Sequence, residues 1–203
     1  MKRILLLFIF VATLFTIASC GGENDRTYDE NTVKSSAATL IRDAAVVNEI
    51  IWGEGIKYDE DPRYQSGVYF PANYESLVRF GVETFDDIIE KCEGVFSSAY
   101  VSHIRKNVLT SSIEENGRIY TRYYQGDEVM MVCSQYTPLL FDKVEYLYDT
   151  IEVLGSKGQI VTVKIKIKVT RGDTSQIREL EIDLVEEKSG WRIDSPTYAN
   201  FIE

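Results

Sequence analysis

Residues 159–170, QIVTVKIKIKVT, constrain the fold of this chain more than any other stretch. From Val161 to Thr170, apolar and polar residues alternate without a break. Such alternation is typical of a β-strand with one buried and one solvent-exposed face, because successive side chains point to opposite sides. The apolar set is Val161, Val163, Ile165, Ile167 and Val169; the polar set is Thr162, Lys164, Lys166, Lys168 and Thr170.

The flanking segments predict antiparallel partners for this strand. Residues 143–154 alternate too, but the apolar phase slips by one residue near Asp149-Thr150, which predicts a β-bulge there. After the turn at Gly172, apolar Leu180, Ile182 and Leu184 alternate with Glu179, Glu181 and Asp183. If the inner faces match, these three acids lie opposite the three lysines. A last short strand is predicted from Trp191 to Ile193.

Two shorter strands are predicted before this group, over residues 118–124 and 129–136. They follow Asn116-Gly117, a turn signal. Counting all of these segments, the sequence predicts an antiparallel meander of about six strands.

The first half of the chain predicts helices. Residues 37–52 repeat apolar side chains at helical spacing, and Gly53 and Gly55 end the pattern. Thr84 with Asp87 resembles a capping box for a helix that ends near Gly94, and a further helix follows Ser97. His103, the single histidine, is expected at or near the surface. Helices on one side of an antiparallel sheet form an α+β domain, predicted here over residues 37–203.

Residues 57–79, between the first two predicted helices, are rich in Tyr, Asp and Pro. This insert is predicted to be irregular, with a short strand over residues 66–70. Its acidic run lacks the glycine turn and distal glutamate of a calcium loop, so we expect no metal site there. The candidates for contact with a protein partner are Tyr58, Asp59, Glu60, Asp61 and Tyr64.

The N-terminal residues predict where the protein is located in the cell. Lys2 and Arg3 precede an apolar run that is too short for a permanent membrane span and fits a signal peptide over residues 1–19. Ile17-Ala18-Ser19-Cys20 resembles a lipobox, the motif of bacterial lipoproteins. The resemblance implies that Cys20 becomes a lipidated N-terminus, which anchors the protein at the outer side of a bacterial cell membrane. Residues 20–36 are then expected to be a flexible tether.

The net charge limits the expected partners, and the cysteines allow two interpretations. The formal net charge is −10, with basic residues scattered, so nucleic acid is not an expected partner. Besides Cys20, the chain contains Cys92 and Cys133. In an exported protein these two could form a disulfide, or they could be two buried thiols.

Helices first, a bulged meander after, and the ending Gly-Trp-Arg-Ile-Asp-Ser-Pro resemble the nuclear-transport-factor-2-like superfamily. The resemblance implies a cone-shaped fold, a cup between helices and sheet that serves as a ligand site or enzyme pocket, and an outer sheet face that often forms homodimers. The chain also resembles exported inhibitors of cell-wall DL-endopeptidases. That resemblance rests on Val95-Phe96-Ser97-Ser98, Asn116-Gly117-Arg118 and Ser189-Gly190-Trp191.

These features favour a non-enzymatic binding module without a cofactor. Its partner would be a small ligand or an envelope protein, and inhibition of a cell-wall hydrolase is an alternative. The aromatic candidates for the cup are Tyr120, Tyr146, Tyr148 and Trp191. No nucleophile elbow, phosphate loop or zinc motif is present. An isomerase-like site built from Asp149, Tyr146 or Tyr120 is the enzyme alternative.

Overall fold

The computed structural model describes residues 28–64, 67–109, 113–115, 118–138 and 142–199, and these form an α+β fold. The lipobox-like segment, Cys20 and the Asn116-Gly117 turn lie outside the described residues. The α-helices are α1 (Glu30–Ile51), α2 (Tyr74–Phe80), α3 (Phe85–Val95) and α4 (Ser98–Ile104). A 3-10 turn at Pro62–Tyr64 and a π-helical turn at Arg105–Leu109 complete the helical part. No described helix is both long and apolar enough to span a bilayer.

Helix α1 begins seven residues before the predicted start at residue 37. The Asp29 side chain accepts the backbone N–H of Thr32 at 2.7 Å, which caps the first turn. Val33 is buried and lies one helical turn before buried Ala37, so the apolar stripe starts earlier than predicted. Residues 30–36 are therefore helical rather than part of the expected tether.

The insert contains a helix that the sequence analysis missed. Helix α2 begins after Asn73, whose side chain accepts the N–H of Ser76 at 2.9 Å, and ends at Gly81 with φ 60°. The predicted strand is observed as β1 (Tyr69–Pro71), shifted toward the C-terminus. Pro71 is tolerated because β1 is an edge strand of its sheet.

The next two helices agree with prediction. Thr84 and Asp87 form the capping box at the start of α3. Ser97 caps α4 by accepting the N–H of Tyr100 at 3.0 Å. His103 is exposed, as expected.

The strands form three sheets among the described residues, which corrects the predicted six-strand meander. The short strands are β2 (Ile113–Glu115), β3 (Arg118–Tyr120), β4 (Tyr123–Gln125) and β5 (Met130–Cys133). β2 pairs with β3, and a second sheet has the order β1-β5-β4. The strand predicted over residues 118–124 is broken at Thr121-Arg122, where the Arg122 side chain is buried instead of continuing the alternation.

The long strands form a four-stranded antiparallel meander. They are β6 (Lys143–Lys157), β7 (Ile160–Arg171), β8 (Thr174–Glu187) and β9 (Gly190–Ile193), in that spatial order. β7 contains the alternating stretch, and the five apolar side chains that alternate from Val161 to Val169 are at most 1% exposed. The predicted facing is confirmed. Helix α1 contacts both α3 and β6, so the helices cover the apolar face of this sheet.

The predicted charge ladder between β7 and β8 is confirmed in two of its three rungs. Lys164 lies opposite Glu181 and Lys166 opposite Glu179. Asp183 lies opposite Thr162, whose hydroxyl donates to it at 2.7 Å, so Lys168 lies opposite Ile177 instead. Lys164 also forms an ion pair with Glu152 at 3.3 Å, which joins β7 to β6.

The predicted bulge is present in β6 and is larger than one residue. The register with β7 shifts between Leu147 and Glu152, and again between Val153 and Gly155. The Thr150 hydroxyl accepts the N–H of Lys166 at 2.9 Å and donates to the carbonyl of Leu147 at 2.6 Å. One side chain therefore satisfies backbone groups on both strands where the ladder is interrupted.

Cys92 and Cys133 are both buried and are not joined in a disulfide. Burial, the largest cause, raises the pKa of Cys92 to about 12. The second of the two expectations for these residues, a pair of buried thiols, is therefore the one observed.

Candidate functional site

Two of the four aromatic candidates for the cup lie together. The rings of Tyr146 and Tyr148 stack at 6.2 Å on β6. The Tyr146 hydroxyl donates to the carbonyl of Thr197 at 2.6 Å, and Asn48 of α1 donates to the Thr197 hydroxyl at 2.8 Å. This buried cluster holds the segment after β9 against α1. Burial raises the pKa of Tyr146 to about 12.

The other two aromatic candidates lie elsewhere. Trp191 packs edge-to-face against Tyr28, with ring centroids 5.1 Å apart. The ring centroid of Tyr120 lies 6.1 Å from that of Tyr69, which belongs to the β1-β5-β4 sheet. Asp149, named with Tyr146 and Tyr120 for an isomerase-like site, is exposed at the bulge.

The candidates for protein contact in the insert are engaged mainly with one another and with their neighbours. Tyr58 stacks on Phe70 at 5.2 Å, and Asp59 accepts from Asn73 at 2.7 Å. Asp61 pairs with Arg63 at 2.6 Å, and hydrogen bonds from Arg63 lower the pKa of Asp61. Glu60 is exposed, and Tyr64 lies under the Arg63 guanidinium. In the part of the chain that the structure describes, no three metal-ligating side chains are grouped.

A cavity of about 290 Å³ lies where α1 ends, and we call it the α1-end cavity. Its wall combines the turn after α1, the start of the insert and the end of β5. The lining includes Glu54, Lys57, Tyr58, Arg122, Ser134 and Tyr136. Only Tyr58 among these was a candidate from sequence.

Arg122 is the central residue of this cavity. Its side chain is 1% exposed, and it donates to the carbonyls of Ile51 and of Gly53, the latter at 2.7 Å. The Tyr136 ring lies against the guanidinium, 3.8 Å from its centre. Ile51 is the last residue of α1 and Gly53 lies two residues beyond it, and α1 carries no basic residue in its own last turn. Arg122 therefore supplies the positive charge that a helix C-terminus favours.

Two tyrosine hydroxyls also donate hydrogen bonds to carbonyls at the end of α1. Tyr123 donates to the carbonyl of Ile50 at 2.7 Å and accepts the N–H of Ile56 at 3.1 Å. Tyr136 donates to the carbonyl of Ile51 at 3.0 Å. Burial raises the pKa of Tyr123 to about 12, although the neighbouring Arg122 acts in the opposite direction.

Only glycine fits at position 55, where the chain passes this cluster. Gly55 has φ 66°, and a Cβ there would lie 2.2 Å from both Arg122 Nη2 and the Tyr123 hydroxyl. Such a distance excludes any side chain, and the positive φ disfavours one as well. Gly55 was predicted only to end the helix, whereas here it also makes room for the Arg122 cluster.

The cavity carries one net positive charge on its lining. Glu54 pairs with Lys57 at 2.7 Å, and hydrogen bonding to Lys57 lowers the pKa of Glu54. Within the described residues, no carboxylate lies within ion-pair distance of Arg122. The buried guanidinium is thus hydrogen bonded but not neutralised by any acidic side chain in the described part of the chain.

A second cavity of about 390 Å³ lies between α3–α4 and the turn before β9, and we call it the β9 cavity. Its wall includes Phe96, Ser98, Arg105, Glu187 and Ser189. Residues from two of the segments singled out in the sequence, 95–98 and 189–191, therefore meet here. Ser97 donates to Asp194 beside this wall, which ties the start of α4 to the residue after β9.

No protein-family model matches this chain, and no curated protein matches it either. Function therefore has to be inferred from the geometry of the chain itself. The α1-end cavity, with buried Arg122 in its wall, is the candidate functional site.

Proposed function

We propose that this protein is a non-enzymatic, lipid-anchored binding module at the extracytoplasmic face of a bacterial membrane, and that the α1-end cavity holds a small ligand. The proposal of a ligand site depends on one observation: Arg122 is buried in the wall of that cavity. Among the described residues Arg122 has no acidic partner, and a buried cation of this kind has a high free-energy cost, which favours a role beyond packing. Concave sites with a few polar groups at fixed positions are typical of ligand pockets.

The ligand is tested by retention from an extract of the native envelope. The full chain, purified in detergent, is dialysed against the small-molecule fraction, and retained compounds are identified by mass spectrometry. We expect retention by the wild type and loss in Ser134→Phe, which fills the cavity. A variant of matched change far from the site, Ser175→Phe on the exposed start of β8, should retain the compound. Equal retention by both variants would contradict the site.

The anchor is supported by the order of charge, apolar run, small residues and Cys20 in the sequence. Several acyl chains on one residue give stable anchoring, whereas one chain is marginal. We expect Cys20→Ala to leave the membrane fraction, while Ser19→Ala, which keeps a small residue before the cysteine, stays in it. Immunoblotting of fractionated cells measures this. Cys20→Ala in the membrane fraction would refute the anchor.

The cone shape implied by the resemblance to the nuclear-transport-factor-2-like superfamily is part of the proposal. It is supported by helices on one face of the sheet and by the bulge in β6, because bulges bend strands. The outer face of the sheet carries the lysine and glutamate ladder. A homodimer through that face would have to bury these charges, so we favour a solvent-exposed outer face.

The alternative is inhibition of a cell-wall hydrolase through the β9 cavity. The meeting of Phe96, Ser98 and Ser189 at one wall favours it. If it holds, the purified protein slows digestion of peptidoglycan by a DL-endopeptidase, and Ser189→Trp in the exposed turn relieves that inhibition. Ser175→Phe is again the matched control. An unchanged digestion rate with excess wild-type protein would remove this alternative.

A further inference from the structure

We infer that one end of the four-stranded sheet contacts the lipid bilayer, and that Leu154 and Ile160 enter its headgroup region. We call this end the tether end; it consists of residues 154–160 at the β6–β7 turn and residues 187–190 at the β8–β9 turn. The inference rests on the lipid anchor of the proposed function. It adds which surface of the folded domain the bilayer contacts.

Helix α1 begins at the tether end. Tyr28, just before α1, packs on Trp191 with ring centroids 5.1 Å apart, and Trp191 lies opposite Glu186 beside the β8–β9 turn. Further along α1, the Arg42 guanidinium lies 5.3 Å from the centre of the Tyr148 ring, in the first half of β6. The helix therefore runs from the tether end toward the opposite end of the sheet.

The length of chain between the anchor and Tyr28 limits the orientation of the domain. Tyr28 follows Cys20 by eight positions, so the two residues can be at most about 29 Å apart. The β7–β8 turn lies at the opposite end of β7, roughly 36 Å from the tether end, because a strand rises about 3.3 Å per residue. If that turn faced the bilayer, Tyr28 would lie beyond the reach of the anchor. The tether end is therefore the end of the sheet that can meet the lipid.

Two apolar side chains are exposed at the tether end. Leu154 lies at the second register shift of β6 and is 45% exposed, and Ile160 at the start of β7 is 37% exposed. Ile160 lies opposite Lys157, so these two side chains point to the same face of the sheet. Apolar side chains beside lysine are typical of surfaces that lie at the boundary of headgroups and acyl chains, where lysine reaches the phosphates.

The charge of the tether end also favours lipid as its partner. The formal net charge of −10 repels the chain as a whole from an anionic lipid surface. Residues 153–172 contain no acidic residue, and Lys157 and Lys188 are exposed at the two turns. Glu187, next to Lys188, accepts hydrogen bonds from the backbone N–H and the hydroxyl of Ser98. The two lysines therefore place positive charge where the domain meets the bilayer.

A small contact surface is sufficient because the anchor already holds the domain beside the bilayer. Two partly exposed apolar side chains would bind vesicles only weakly from solution. Once the chain is anchored, the contact is intramolecular and its effective concentration is high. We therefore expect the contact in the lipidated chain.

The test measures how close each end of the sheet lies to lipid. The lipidated full chain is reconstituted into vesicles of phosphatidylethanolamine and phosphatidylglycerol, and flotation reports attachment. Ser156→Cys at the tether end and Ser175→Cys at the opposite end, both exposed, are labelled in separate samples with the fluorophore NBD. The wild type, whose Cys92 and Cys133 are buried, gives the background of labelling. We expect brominated lipids to quench the probe at position 156 at least about threefold more than the probe at 175.

Variants assign the contact to the two apolar side chains. Replacing both Leu154→Gln and Ile160→Gln keeps their approximate size and removes apolar surface, so quenching at position 156 should fall to the level at 175. Ile177→Gln makes the same change at an exposed residue near the opposite end and should leave quenching unaltered. Circular dichroism shows whether each variant is folded. If the double variant is unfolded, Lys157→Glu takes its place, because a negative charge there is repelled by phosphatidylglycerol.

The outcomes separate this inference from the anchor. If the chain floats with the vesicles and the two probes are quenched equally, or the probe at 175 more, the inference is wrong while the anchor stands. If the probe at 156 is quenched more but the variants do not reduce this quenching, Leu154 and Ile160 do not enter the bilayer and the inference is again wrong. If the wild-type chain does not float, the anchor fails and the inference fails with it.

Discussion

The four-stranded sheet and the α1-end cavity are stabilised in different ways. In the sheet, a two-residue period places every buried side chain of β7, and the cross-strand register follows from it. At the end of α1, three carbonyls receive hydrogen bonds from Arg122, Tyr123 and Tyr136, which follow no common period. The first region depends on apolar burial and the second on polar side chains meeting main-chain groups. Sensitivity to substitution should therefore differ between them.

The largest effect is expected in the sheet, from Ile165→Lys. Ile165 is fully buried, so the substitution places an unpaired charge in the core. We expect the free energy of unfolding to fall by about 5 kcal/mol, enough to unfold a typical domain. Urea denaturation followed by circular dichroism measures this. Lys168→Gln, on the opposite face of the same strand, should leave the transition unchanged. An unchanged midpoint for Ile165→Lys would refute the facing of β7.

The next effect is expected at the cavity, from Arg122→Met. Methionine preserves part of the packing but leaves the Gly53 carbonyl without its donor and the Ile51 carbonyl with Tyr136 alone. We expect a loss of about 3 kcal/mol in the free energy of unfolding. Arg63→Met, which removes an exposed arginine, is the control and should match the wild type. If Arg122→Met had the same free energy of unfolding as the wild type, the end of α1 would not depend on this residue.

Alkaline pH should weaken both regions together. Tyr123 at the cavity and Tyr146 on the sheet have pKa values raised to about 12 by burial. Above pH 10 the unfolded chain ionises these groups while the folded chain keeps them protonated, so the unfolded state binds fewer protons. These two tyrosines do not change stability below pH 10, and above it each lowers stability at a rate that approaches about 1.4 kcal/mol per pH unit. The Cys92 thiol, whose pKa burial raises from 9.0 to about 12, starts the fall from pH 9.

Thermal melts between pH 8 and pH 11.5 measure this fall. Tyr146→Phe removes one of the buried groups whose pKa is raised, so its melting temperature should decline less steeply with pH than that of the wild type. Tyr74→Phe removes an exposed hydroxyl and should follow the wild-type curve. If Tyr146→Phe also follows that curve, burial of Tyr146 does not contribute to alkaline unfolding.

The smallest effect is expected at the bulge, from Thr150→Val. Valine has the shape of threonine but can neither accept from Lys166 nor donate to Leu147. We expect a loss of about 1 kcal/mol, because water can reach this partly exposed position. Thr170→Val on β7 is the same substitution at a side chain that makes no such bonds with the described residues, and it should change stability less. Equal effects for the two variants would contradict the role of Thr150.

The two regions also differ in how far the sequence could predict them. Alternation located β7, its buried face and the bulge at Thr150, because each depends on nearest neighbours along the chain. The inward turn of Arg122 could not be predicted, since it depends on a helix end 69 residues earlier in the sequence. One signal was present: α1 has no basic residue in its last turn, so its cap had to come from elsewhere. Helix α2 was missed because seven residues are too few for a clear period.

The closure of α1 by Arg122 has a consequence for how the chain matures. The last turn of this helix stays incomplete until a partner 71 residues downstream arrives, and that partner precedes every strand of the large sheet. Because the N-terminal part of a chain is synthesised first, α1 would be frayed at its C-terminal end during synthesis. Truncated chains that stop before residue 122 should show this as rapid amide hydrogen exchange in residues 48–52.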